Sequence, residues 1–432
     1  MKMQYSRYNG AMEQELKKSF PLFATLSRED QQFIATIVTE RQCSYQQIRL
    51  LIEQATDLTL WQQPSISVLW DEESGGNREG KPRTKAIIAN LLAKIDSLRQ
   101  APTDYNNFLA KPIARKKATH VVLQEDAKLL GSCPCPIAGE KTRCCNLLTL
   151  DAVRQCAFGC SYCSIQSFYH KDEVLFVKNL QERLDQLQLP EGTWHIGTGQ
   201  SSDSLMWGNA YGLLDSLSTF AHQHPEIVLE LKTKSDRTDW INTISFPSNV
   251  VATWSLNAPT IIEKEEHLTA SLGERLAAAR QAADAGLLVG FHLHPMVHFS
   301  GWQDEYGLVI ESILNTFSPR EVMMISLGTL TFTKEVLRQL RSSRRPSRIL
   351  QMELTEAAGK FSYPVAVKKD LFSFAYNQFP AEWKQKTGPF YYLCMELPEL
   401  WEPIFGYAYP DNASFEADMK LRYQQKIETI SK

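Results

Sequence analysis

The sequence predicts an α/β protein: a partial (β/α)6 barrel behind a helical N-terminal region, with a small α+β C-terminal extension. Three observations lead there. Short β-type runs alternate with helical ones from Leu147 to about residue 345, the texture of βα units feeding a parallel sheet. The first 115 residues instead repeat apolar positions at helical spacing. With 43% apolar and 22% charged residues the chain has ordinary globular composition, which excludes collagenous, low-complexity and largely disordered classes. Its 432 residues allow roughly two to three domains.

In residues 1–115, Ile34, Ile37 and Val38, then Ile48, Leu51 and Ile52, then Ile87, Leu91, Ile95 and Leu98 mark amphipathic helices. Between them ESGGNREGKPR (73–83) reads as an exposed loop. Residues 116–146 form a cysteine-rich linker, and 147–345 the barrel. Its strands are expected at 147–151, 193–197, 226–233, 250–256, 287–294 and 321–327. Six such units suit a partial barrel, since a closed eight-fold one needs about 250 residues. One helix is well punctuated: Ser271 and Glu274 have capping-box spacing, RLAAARQAADA favours helix, and Gly286 stands where a C-terminal cap belongs. The extension, 346–432, should hold a strand in ILQMEL, a helix with Leu371, Phe374 and Tyr376, a buried strand in PFYYLCMEL and a terminal helix.

Lys and Arg number 46 against 49 Asp and Glu, a net charge of −3, so any grip on phosphates must be local. The candidate is KEVLRQLRSSRRPSR (334–348), where Lys334, Arg338, Arg341, Arg344, Arg345 and Arg348 face only Glu335. KPIARKK (111–117) is a smaller basic run, and most runs of this kind are solvated helix ends. No stretch approaches 18 apolar residues and MKMQYSRYNG lacks a secretory apolar run, so the expected location is cytoplasmic, away from membranes. Cysteines in a reducing compartment point to metal or redox chemistry, and seven of the nine lie between Cys133 and Cys163.

Directly after the first strand, RQCAFGCSYCSIQ places Cys156, Cys160 and Cys163 in C-x-x-x-C-x-x-C spacing. Three thiolates on one short loop can ligate three irons of a four-iron, four-sulfur (4Fe-4S) cluster and leave one iron open. A tetrahedral zinc would borrow a fourth thiol from Cys144 or Cys145. Just upstream, Cys133, Cys135, Cys144 and Cys145 form a second group, a candidate auxiliary site for iron–sulfur or zinc, with unligated thiols as the alternative. The loops after the next strands carry HIGTGQSSD, LKTKSD and WSLN. There Gly197 and Gly199 permit close backbone approach, while Ser202, Asp203, Lys234, Ser255 and Asn257 offer polar groups at the barrel mouth. In GFHLHPMVHFSGW, His292 and His294 share a strand face, and His298 is a loop residue.

The cysteine spacing, the aromatic Tyr162 and the position after a first strand resemble the radical S-adenosylmethionine (SAM) enzymes. Adding GQSSD, LKTKSD, WSLN, GERLAAARQAADAGLLVGFHLHP with its following GW, and LTFTKEV, the stretch from about Leu147 to Leu340 looks like the spore photoproduct lyase branch of that family. The resemblance implies a 4Fe-4S cluster that chelates SAM and cleaves it to a 5'-deoxyadenosyl radical, which abstracts hydrogen from substrate. It also implies SAM contacts from Ser202, Lys234 and Ser255, Tyr162 near the adenine, a nucleic acid or nucleobase-like substrate, and a reductant such as flavodoxin or ferredoxin. Two positions depart from the branch. Its lyases reverse a thymine dimer using a loop cysteine where this chain has Gln200, and the aromatic residue after the third cluster cysteine is Ser164 here. Cys394 offers a thiol elsewhere, in the context of a buried strand. The competing class is a non-catalytic zinc or iron–sulfur protein that docks nucleic acid through its basic run.

Overall fold

A computed structural model describes residues 2–111, 120–124, 128–132, 141–164 and 173–430. Cys133 and Cys135 lie outside these residues, as does the basic run after Lys111. The chain divides into two compact units, Met1–Pro112 with Phe332–Thr355, and Ile113–Thr331 with Glu356–Lys432.

The first unit is helical. Helix Arg28–Glu40 starts at Ser27, whose hydroxyl accepts from the Asp30 amide, and Tyr45–Trp61 starts at a capping box of Ser44 and Gln47. Leu51, Ile52, Leu58 and Trp61 are buried with Ile87, Leu91 and Ile95 of helix Gly80–Gln100. The stretch expected as a loop at 73–83 is half taken by helix, because a 3-10 turn at Glu72–Gly75 leads into a helix that already begins at Gly80.

Helix Lys334–Ser342 belongs to this unit too, and it corrects the reading of 334–348 as one cationic surface. Arg341 makes two bonds, 2.7 and 2.9 Å, to the buried carboxylate of Asp57. Arg348 is buried, donates to the carbonyls of Trp61 and Asp104, and lies over the Phe108 ring. Both are spent on packing; Lys334, Arg338 and Arg344 are exposed. No strand forms in ILQMEL. Ile349, Leu350 and Met352 instead enter the core from a turn in which the Gln351 amide donates to the Arg348 carbonyl, so burial without strand pairing explains this apolar run.

The second unit is built on a curled half-barrel sheet. Its strands are β1 (Leu130–Ser132), β2 (Leu148–Leu150), β3 (His195–Thr198), β4 (Val228–Thr233), β5 (Val250–Leu256), β6 (Leu288–Met296), β7 (Val322–Thr329) and β8 (Phe390–Leu393). Spatial order follows chain order, with every pair parallel except β1 against β2. The six expected strands are β2 to β7. Beyond expectation, the strand in PFYYLCMEL joins the same sheet as a seventh parallel strand; its four residues are all buried, as a strand covered on both faces requires. The capping box of Ser271 and Glu274 opens helix Leu272–Asp284, and Gly286 follows it at φ +90°.

A half-barrel has two edges to protect. Beside β8, the Arg143 amide donates to the Glu396 carbonyl at 2.9 Å, and the Cys144 amide donates to Asn412 Oδ1 at 3.1 Å. Asn412 opens helix Asn412–Ile430, whose Glu416 accepts from Trp194 and whose Tyr423 packs on Trp194 and His195. No helix among the described residues is long and apolar enough to cross a membrane.

Candidate active site

The loop after β2 carries the three cysteines, and two neighbouring loops hold its backbone. Gln155, in the left-handed region at φ +77°, donates its amide to the Ser201 carbonyl at 2.9 Å and accepts from the Ser202 hydroxyl at 2.8 Å. On the other side, the Gly159 amide donates to the His267 carbonyl at 2.9 Å and the Ser161 amide to the Glu265 carbonyl at 2.8 Å. The cysteine loop is thus stapled between the loops that follow β3 and β5.

Cys156, Cys160 and Cys163 line an open-mouthed cavity of about 690 Å³ together with Gly199, Ser202, Lys234 and Ser255, the ends of β3, β4 and β5. Four expected binding residues therefore meet the three thiols. Gly199 is required there: its φ is +90°, and a Cβ would fall 2.8 Å from the Lys232 carbonyl oxygen. Gly197 plays a different part from the expected backbone approach, because it does not line the cavity and a Cβ there would meet Leu147 at 2.8 Å. Asn257 is likewise no mouth residue. It is fully buried, donates to Glu266 and the Pro295 carbonyl, and accepts from the Tyr306 hydroxyl.

Asp203 works on the backbone. Its carboxylate accepts from the amides of Leu205, Met206 and Lys234 and from the Thr233 hydroxyl, tying the loop after β3 to the end of β4. Ser202 is fastened too, since its oxygen accepts from Trp207 Nε1 at 2.9 Å.

Glu266, which sequence reasoning missed, is the centre of charge. It accepts from the Tyr162 hydroxyl, from Lys234 Nζ at 3.1 Å, from Arg275 Nη2 at 2.6 Å and from Asn257 Nδ2 at 3.1 Å. Burial pushes its carboxyl up, but the Lys234 ammonium and Arg275 guanidinium prevail and hold it at about 2. Tyr162 is thereby fixed to the carboxylate by its hydroxyl, with Lys234 Nζ 5.8 Å from the ring centre. The only signal in the sequence was the acidic pair of EKEEHL, which reads as surface.

Lys232, two residues before Lys234, also lines the cavity, and burial lowers its ammonium. His292 and His294 stand on the interior face of β6: His292 Nε2 lies 2.7 Å from Glu230, and His294 Nε2 lies 2.8 Å from the Ser326 hydroxyl. Burial pulls His292 down to about 4, so the neutral ring donates to the Glu230 carboxylate. His298 lies after β6 with its ring against Trp302.

The donor set suits iron–sulfur ligation. All three side chains are thiols, and burial, ahead of nearby negative groups, pushes Cys156 and Cys160 up, so a bound metal must displace their protons. Among the described residues no three His, Cys, Asp or Glu side chains converge on one ion. Ligands that each bind a different iron of a cluster need no such point.

Comparison with known proteins agrees with this architecture. A 182-residue stretch covering 40% of the chain is 22% identical to spore photoproduct lyase of Clostridium acetobutylicum; the match spans about half (53%) of that relative's length. Two solved structures share the fold. One is a spore photoproduct lyase with bound AdoMet and dinucleoside spore photoproduct, with TM-score 0.51 and 18% identity, covering 66% of this chain and 88% of the other. The second is a spore photoproduct lyase complexed with dinucleoside spore photoproduct, with TM-score 0.51 and 17% identity, covering 71% of this chain and 94% of the other. The spore photoproduct lyase family pattern itself matches residues 149–371, more than half of the chain and all of the cavity just described, and the chain belongs to that family.

Proposed function

We propose that this protein is a radical SAM enzyme in which Cys156, Cys160 and Cys163 hold a 4Fe-4S cluster and the adjoining cavity receives SAM. When bound, the cluster supplies the electron that cleaves SAM, whose adenosyl fragment then takes a hydrogen atom from substrate. The observation that carries this reading is the cavity itself, which joins the three thiols to the ends of β3, β4 and β5. Gly199 leaves room beside the backbone for the methionine part and Ser255 presents a hydroxyl, while Ser202, whose proton goes to the Gln155 carbonyl, has one acceptor lone pair left for SAM. Lys234, held by Glu266, places its positive charge at the rim for the SAM carboxylate.

The proposed substrate is a nucleic acid or nucleobase-like molecule. Support comes from family membership and from the solved relatives that carry a dinucleoside lesion. Exposed Lys334, Arg338 and Arg344 are the proposed phosphate contacts, and a low-potential protein such as flavodoxin or ferredoxin the proposed reductant.

Anaerobic reconstitution with iron and sulfide, followed by dithionite and SAM, tests the reading. Release of 5'-deoxyadenosine, abolished in Cys156→Ala, Cys160→Ala and Cys163→Ala, is expected. Zinc in place of iron, with no SAM turnover, overturns it in favour of a non-catalytic metal protein.

A further inference from the structure

A second cavity, of about 520 Å³, lies inside the half-barrel, with His195, Glu230, His292 and Cys394 in its wall. It abuts the first, because Gln200, Lys232 and His294 line both. Side chains alternate along a strand, so Glu230, Lys232 and Lys234 share the interior face of β4. The outer two members of this row are partnered. Glu230 lies 3.1 Å from His195 Nε2 and 2.7 Å from His292 Nε2 and accepts from the Thr253 hydroxyl at 2.9 Å, while Lys234 is held by Glu266. Lys232, between them, makes no hydrogen bond or ion pair among the described residues, and Glu230 attracts it only from beyond ion-pair distance. Nor do the thiols near it supply an anion: burial pushes Cys394 up to about 12, and the contact with Cys144, then burial, pushes Cys145 well up. The Gln200 side-chain amide beside it is likewise without a partner among the described residues. Further in, the Nδ1 atoms of His195 and His292 are buried and unpartnered, so the wall also carries bare acceptors.

We propose that the Lys232 ammonium and the Gln200 amide form a receptor for an oxyanion on the substrate, a carboxylate or a phosphate that enters the inner cavity while the reacting part stays beside the three cysteines. Naming the occupant as substrate rests on the radical reading above. An ammonium drawn out of water is costly unless it meets an opposite charge, and the fold supplies none at Lys232. A ligand oxyanion supplies that charge, and the amide adds a second N–H donor, an arrangement in which a charged hydrogen bond outweighs one to a neutral carbonyl. SAM's own carboxylate has a cation of its own in Lys234, at the rim. The bases of a thymine dimer are uncharged, so the substrate inferred here differs from that lesion: it is a nucleobase-like molecule carrying an anionic group.

Calorimetric titration of the reconstituted, SAM-saturated protein tests the proposal with matched probes: orotate against uracil for a carboxylate, thymidine 5'-monophosphate against thymidine for a phosphate. In at least one pair the anion should bind tenfold or more tighter than its neutral partner. Lys232→Met should erase that preference, Gln200→Leu should reduce it, and exposed Lys386→Met should leave it unchanged. Lys232→Met should also melt no lower than wild type, because it removes a buried charge without a partner. Without any variant, the preferred anion should slow acetylation of Lys232 by acetic anhydride, read by peptide mass spectrometry, and leave Lys386 unaffected. Equal or absent binding within both pairs, a preference that survives Lys232→Met, displacement of the anion by SAM, or a lower melting temperature in that variant overturns the proposal. The two readings fail separately: 5'-deoxyadenosine formed by a protein with no anion preference removes this proposal alone, and an anion preference without 5'-deoxyadenosine removes the radical reading beneath it.

Discussion

Replacing Glu266 by Gln should be the most costly single change near the site, and the structure sets the size of the loss twice. Holding the carboxyl at about 2 rather than the ordinary 4.5 is worth about 3 kcal/mol, at ~1.4 kcal/mol per tenfold change in proton affinity. Independently, removing one partner of a buried ion pair costs about 3–5 kcal/mol, and here both Glu266 and Arg275 are fully buried at their side chains. The two figures agree. The sign also follows: because the folded value is depressed, the stabilisation is complete above pH 4.5 and drains away as pH falls towards 2. Urea unfolding of the cluster-free protein at pH 7, followed by tryptophan fluorescence, should show Glu266→Gln destabilised by about 3 kcal/mol or more. Adding Arg275→Met should recover part of the loss, since it removes the stranded guanidinium. A loss below about 1 kcal/mol, or no recovery in the double variant, would refute the idea that this carboxylate anchors the cysteine loop.

Gly199→Ala forces a side chain into the left-handed region against the Lys232 carbonyl, so it should cost about 1–3 kcal/mol and weaken SAM binding, read by calorimetry on the reconstituted protein. Gly197→Ala should be destabilising through Leu147 while leaving SAM affinity close to wild type, which separates the two glycines. Arg341→Ala breaks a two-bond pair with buried Asp57, partly backed by Arg99, and should lower stability by about 2–3 kcal/mol, checked by thermal and urea unfolding. Charge reversal at exposed Arg338 and Arg344 should instead leave stability within about 0.5 kcal/mol, and it should make single-stranded DNA binding less sensitive to salt, the logarithmic slope falling by about 0.7 for each phosphate no longer neutralised.

What the amino-acid order makes legible is whatever covalent spacing dictates. Three cysteines within eight residues share one loop in any fold, and apolar alternation places that loop after a strand, so the thiols and the strand ends could be read directly. The place of the seventh parallel strand in the sheet was harder to read, because some sixty residues separate β7 from β8 and part of them, Phe332–Thr355, belongs to the helical unit. Groups defined only by convergence left still less trace. Glu266 stands in a charged stretch that looks solvated, yet it meets Tyr162, Lys234, Asn257 and Arg275 from four different segments.

The arginines of 334–348 show the converse. A run of like charge looks like a surface, but Arg341 and Arg348 had partners in Asp57 and in the Trp61 and Asp104 carbonyls that local sequence could not supply. Cys394 is the sharpest case. A thiol in YYLCMEL has every mark of a core residue, and its amide does continue the pairing with β7 through the Leu327 carbonyl, yet the side chain lines a cavity together with Cys144 and Cys145. Its surroundings follow from a strand end and a distant loop meeting at the same edge of the sheet. The surroundings of Cys394 are therefore a property of how the half-barrel is closed: Arg143→Ala, which removes the bonds to the Tyr409 and Pro410 carbonyls beside the Arg143–Glu396 bridge, should raise the alkylation rates of Cys144, Cys145 and Cys394 by iodoacetamide while sparing the three cysteines of the cluster loop.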